Sequence, residues 1–150
     1  MKYKYLGRKE LLLARHQDID QLKKGHREGY CLFDGFQRER INVYVLECIH
    51  KNSNYLYSKQ IWYVDPETWY ILYADKYDKK GKLWRVFENA NVVLKSVYND
   101  ALIGAIGYIS ILDIKRLHST GGFGNYILGG TGSYFHTDFY TPKALQKYGY

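Results

Sequence analysis

The sequence predicts a mainly β fold, a curved antiparallel sheet of about five to seven strands with a short C-terminal helix, on three observations. The 150 residues include 17 Tyr, 3 Trp and 6 Phe against a single Met, an inventory that suits strands better than an all-helical bundle. Four runs rich in β-branched and aromatic side chains follow one another from Ile41 to Leu94. Short polar segments with turn-forming residues separate them.

Before Ile41 the pattern is mixed: GRKELLLA reads as a short strand and Asp18 to Lys24 as a single helical turn before Gly25. The runs INVYVLECI, YLYSKQIWYV, WYILYADKYD and KLWRVFENANVVL then form an antiparallel meander. Lys51 to Asn54 is the first break. In Asp65-Pro66-Glu67-Thr68 the proline holds the second turn position, where its fixed φ is wanted. Lys79-Lys80-Gly81 suits a three-residue loop with the glycine left-handed. If these turns put Val64 opposite Trp69 and Asp78 opposite Lys82, then Ser58, Asp75 and Arg85 share one cross-strand row, and Gln60, Tyr73 and Phe87 another. Asp75 and Arg85 are then expected to form a structural ion pair. In ALIGAIGYISILDI the glycines Gly104 and Gly107 argue for a further strand, and the stretch from Gly121 to Gly132 reads as a loop. Thr141 as N-cap, Pro142 at the first helical position and a closing Gly149 mark the terminal helix.

The length predicts a single domain over residues 1–150. Folding at this size removes roughly 68–70% of the unfolded chain's surface, enough for a core without metal or disulfide staples. A hydrophobic fraction of 46% and a mean hydropathy of −0.45 fit a globular chain and exclude low-complexity and polytopic membrane classes. The formal charge of +7 permits an anionic partner, but the basic residues are scattered, which reads as a solvated face. Aromatic and basic residues interleave at Tyr55, Tyr57, Lys59, Trp62 and at Lys82, Trp84, Arg85. A stacking platform for single-stranded nucleic acid would look so, as would a sheet core with cationic side chains on its wet face. The second reading is preferred, and no nucleic-acid partner is expected.

No catalytic residue and no cofactor are expected. The segment GGTGSY lacks the Lys-Ser/Thr ending of a phosphate loop, and no HExxH, GxSxG or paired CxxC occurs. Asp65 and Asp78 are read as turn openers, not acid–base groups. Cys31 and Cys48, even joined with His50 and His16 or His26, lack the short paired spacings of a zinc site, so no metal is expected. The opening MKYKYLGRKELLLARH reads as neither signal peptide nor membrane span, because charge breaks its leucine run at once.

Residues 61–90, IWYVDPETWYILYADKYDKKGKLWRVFENA, resemble the signature stretch of a bacterial envelope family, domain of unknown function 1329. YKYLGRKELLL, YSKQIWYVD and FYTPKALQKYG resemble that family's final portion in the same order, with looser matching from Ala101 to His136. The resemblance places the chain in the LolA/LolB-like superfamily, as the C-terminal part of a longer envelope protein. It implies an incomplete antiparallel half-barrel with an apolar cavity, a periplasmic or outer-membrane-associated setting, and a lipid or other hydrophobic ligand. An open sheet leaves edges and an apolar face to be covered, so a homodimer contact or an envelope-transport partner is also expected.

The expected function is noncatalytic binding or transport of such a ligand in the concave face, with Trp62, Trp69, Ile71, Tyr73 and Phe87 as cavity candidates. The alternative is a scaffold or interaction domain of an envelope export assembly, which would have a filled concavity.

Overall fold

A computed structural model of the chain describes residues 1–18, 36–95, 102–123 and 143. They form one open antiparallel sheet in which every strand pairs with its sequence neighbours: β1 (Lys2–Leu13), β2 (Glu39–Ile49), β3 (Lys59–Val64), β4 (Ile71–Tyr77), β5 (Leu83–Lys95), β6 (Leu102–Asp113) and β7 (His118–Phe123). The mainly β expectation holds. The helical turn expected after Asp18 and, apart from Lys143, the terminal helix over 141–149 lie outside the described residues.

The pairing register sorts side chains onto two faces. Ile41, Val43 and Val45 of β2, Ile61 and Tyr63 of β3, and Ala90 and Val92 of β5 are buried on one of them, the inner face. Tyr3, Tyr5, Tyr44 and Trp62 lie on the other, the outer face. Burying side chains such as Val43 and Val92, both 0% exposed, contributes roughly 1.5–3 kcal/mol each.

The sheet curls strongly, and one connection proves it. Leu13 pairs with Glu39 of β2, yet Gln17 bridges to Val92 of β5, its N–H donating to the Asn91 carbonyl at 2.9 Å. In a flat sheet β1 and β5 stand four spacings, about 19 Å, apart. Four extended residues reach at most about 14 Å. Only a sheet rolled about its own inner face brings the two within reach.

Polar contacts hold this strap in place. Arg15 donates from Nε to Glu39 Oε2 at 3.1 Å, from Nη1 to Asp65 Oδ1 at 2.8 Å and from Nη2 to Glu67 Oε2 at 2.5 Å. Asp65 is fully buried and also accepts from Glu67 N–H and Thr68 Oγ1. His16 N–H donates to Asn91 Oδ1, and Gln17 Nε2 donates to the carbonyls of Arg15 and Gln37. The planar guanidinium serves the three carboxylates from three separate nitrogens, a spread-out geometry that the single ammonium nitrogen of a lysine cannot reproduce.

Three local irregularities overturn the expected register. The β3–β4 turn is longer than anticipated: Trp69 adopts φ 61° and its N–H donates to the Asp65 carbonyl, so Val64 stands opposite Ile71, not Trp69. A bulge at Leu72 then puts Tyr63 opposite Tyr73. The second turn forms as expected, with Asp78 opposite Lys82 and Gly81 at φ 76°. A bulge at Trp84 follows at once and sets Arg85 opposite Lys76 and Asp75 opposite Val86. An odd shift changes faces, so the expected Asp75–Arg85 ion pair is absent. Arg85 Nε donates instead to Asp113 Oδ2 at 3.0 Å, and its Nη1 to the Tyr57 hydroxyl at 3.0 Å.

Gly121 and Gly122 belong to β7 rather than to a loop. A Cβ at Gly121 would lie 2.4 Å from the Tyr108 hydroxyl oxygen, so glycine is required where that buried phenol lies against the strand.

Replacing Arg15 by Met leaves the buried Asp65 carboxylate without its cation and is expected to cost about 3 kcal/mol in urea unfolding. Adding Asp65→Leu should recover much of the loss; a single variant as stable as the parent would contradict the role given to the clasp.

Candidate functional site

The inner face holds a recess of about 460 Å³, lined by Lys9, Leu11, Leu12, Leu13, Arg38, Tyr63, Tyr73, Asp75 and Glu88. Its size falls within the usual range of ligand pockets. The end of β1 supplies the leucines, and β3, β4 and β5 supply the polar row. Tyr63, Tyr73 and Glu88 are direct cross-strand neighbours, a row that exists because of the Leu72 bulge.

The two tyrosine rings meet edge to face, with centroids 5.6 Å apart at 63°, a favourable aromatic geometry. The Tyr63 hydroxyl donates to Asp75 Oδ2 at 2.9 Å. Burial, then the hydrogen bond to Asp75, pushes the Tyr63 phenol far above its ordinary value. Burial, then the charges of Asp75 and Glu88, pushes Tyr73 up to about 12. Both phenols are therefore neutral near pH 7 and keep their protons to donate.

Charged groups also line the recess: Asp75 beside Tyr63, and Glu88, whose side chain is 14% exposed. Arg38 pairs with Glu88, and the Lys9 ammonium stands 5.7 Å from the centre of the Tyr63 ring. Leucines beside neutral phenols and charged side chains of both signs suit an amphiphile. Cys48 offers no nucleophile: its thiol is buried, and burial followed by the charge of Glu47 pushes its pKa up to about 11, against the thiolate form.

Of the five candidates read from the sequence, the register places only Tyr73 in the recess. Trp62 and Phe87 share the outer row through Ala74. Trp69, 70% exposed, stacks on Tyr44 at 5.6 Å in the β3–β4 turn. Ile71 stands half-buried opposite Val64. The longer turn and the two bulges are the cause. Lys9, Leu11 and Leu13 were missed, although their period-2 spacing is a strand signal; Arg38 and Glu88 carry no local signal that would join them.

No curated protein matches the chain. Two solved structures share its fold at a TM-score of 0.51. One, from Vibrio parahaemolyticus, is provisionally described as an outer membrane lipoprotein-sorting protein domain, and is 15% identical. The other is a DUF1329 family protein from Desulfovibrio piger, 21% identical. The alignments cover 96% of this chain but 47% and 46% of those chains, so this chain spans about half the length of either structure. Among the described residues no helix is long and apolar enough to cross a membrane. Residues 1–122 match the family described as Protein of unknown function (DUF1329), and the chain belongs to that family.

Proposed function

We propose that the chain binds a lipid or other hydrophobic amphiphile, without catalysis, in the inner recess, as part of lipid handling in the bacterial envelope. The observation that carries this reading is the composition of the recess: the leucines of β1, Leu11, Leu12 and Leu13, stand with two neutral phenols and the charged groups Lys9, Arg38, Asp75 and Glu88. An acyl chain laid on the leucines loses water contact at about 0.8 kcal/mol per buried methylene. A polar head can accept from Tyr73 and meet the cations Lys9 and Arg38. The fold shared with a domain described in terms of lipoprotein sorting supports the coarser part of the reading, and with it a periplasmic or outer-membrane setting. An open recess favours ligand binding over a scaffold with a filled concavity.

Titration of a bound fluorescent fatty acid with unlabelled palmitate tests this. Saturable displacement is expected, and Leu11→Asp should weaken it by tenfold or more while leaving far-UV circular dichroism unchanged. Failure to bind the probe at all would reject the site.

The phenols also give a pH signature. Unfolded tyrosine ionises near its ordinary pKa of 10, whereas Tyr73 does so near 12 in the fold. The stability this shift contributes is fully present below pH 10 and is lost as pH rises from 10 to 12. Tyr73→Phe should therefore flatten the fall of the urea midpoint across that window; an unchanged slope would show that Tyr73 is not shielded.

A further inference from the structure

We propose that the outer face where β1, β2 and β3 meet is a docking surface for an anionic lipid bilayer. Tyr3, Tyr5 and Trp69 are 59%, 57% and 70% exposed there, and Leu6, at the β1 bulge, is 47% exposed. Ring contacts join Tyr3 to Trp62 at 5.7 Å, and Tyr44 to both Tyr5 at 6.1 Å and Trp69 at 5.6 Å, and the register sets Tyr3 and Tyr5 two positions apart on the same face. Monomeric proteins rarely leave so many large apolar groups together without a partner.

The charge around the patch selects the partner. Arg8 lies 4.7 Å from the centre of the Tyr44 ring and donates to its hydroxyl at 2.9 Å, and it pairs with no carboxylate among the described residues. Across the same face Lys76 stands opposite Arg85, held between the Tyr57 and Phe87 rings at 5.6 and 5.5 Å, again without an acidic partner among the described residues. The acid on this part of the face, Glu10, is offset by Arg40 at 3.5 Å.

Tyrosine and tryptophan with apolar bodies and polar tips favour the headgroup level of a membrane, and unpaired arginine and lysine favour anionic headgroups. Single-stranded nucleic acid fits less well. The rings share no common plane, with Tyr3–Trp62 tilted at 53°, Tyr5–Tyr44 edge-on at 64° and Tyr44–Trp69 stacked at 16°, so they do not offer a run of parallel faces to successive bases, and Leu6 has no stacking role. The surface lies on the opposite side of the sheet from the recess, so the two readings fail independently.

Co-sedimentation with phosphatidylcholine vesicles, with and without phosphatidylglycerol, tests the proposal on the whole chain. Binding is expected only to the vesicles that contain phosphatidylglycerol, with a blue shift of tryptophan emission. Trp69→Asn, which suits the left-handed backbone, should weaken it tenfold or more, and Arg8→Gln about fivefold. Neither should alter fatty-acid displacement or far-UV circular dichroism. No binding to phosphatidylglycerol vesicles, equal binding to both compositions, or binding indifferent to both variants would overturn the proposal. Binding to an oligo-dT strand in place of the vesicles would overturn it in favour of nucleic acid.

Discussion

The contact on which the rest of this fold depends is the grip of Arg15 on Asp65, Glu39 and Glu67. A strand-bonded sheet has no intrinsic reason to stop at one curvature, because twist and coil are soft compared with hydrogen bonding. The strap after β1 removes that freedom. Its length is fixed by covalent geometry, its far end by the Gln17 bond to β5 and its middle by a part-buried guanidinium set against a fully buried carboxylate. A buried ion pair is a poor source of net stability, but it punishes misplacement severely. Here that property sets the roll of the sheet, and so the depth of the inner face.

With the roll fixed, the two faces divide the work. The inner face packs two buried groups, one around Val43, Ile61 and Leu72 and the other around Ala90, Val92 and Tyr108. The recess lies where the leucines of β1 approach the polar row of β3 to β5. Each bulge contributes. Leu72 brings Tyr73 beside Tyr63, and Trp84 turns Arg85 outward to Asp113, leaving Asp75 to serve Tyr63. The outer face keeps the exposed rings of Tyr3, Tyr5 and Trp69, with Arg8 and Lys76 on the same face.

Much of the fold was legible in the sequence and little of the site. Runs of β-branched and aromatic residues located β2, β4 and β5 within a few residues, and Asp65-Pro66 and Lys80-Gly81 marked both central turns. β1 was underestimated because the bulge at Leu6 and Gly7 breaks the alternation that defines a strand. β7 was missed because Gly121 and Gly122 imitate a loop, their reason being a tyrosine from the neighbouring strand. The register failed for a purely local cause: a tryptophan at positive φ, residue 69, and single-residue bulges have no compositional signature, and an odd shift reverses the face of every residue beyond it. Four of five predicted cavity residues left the recess for that reason. The clasp was out of reach altogether, since Arg15 and Asp65 are fifty positions apart and meet only after the sheet has rolled.

Native-state amide hydrogen exchange at Gln17 tests the central claim most directly. Gln17 lies outside every named strand, in a short segment that would exchange freely in a flat, open sheet. The clasped half-barrel predicts protection of its amide comparable to that of the central strands, because opening this bond requires releasing Arg15 and unrolling the sheet. Exchange at the rate of an unstructured chain would show that the strap is not closed and that the curvature has another origin.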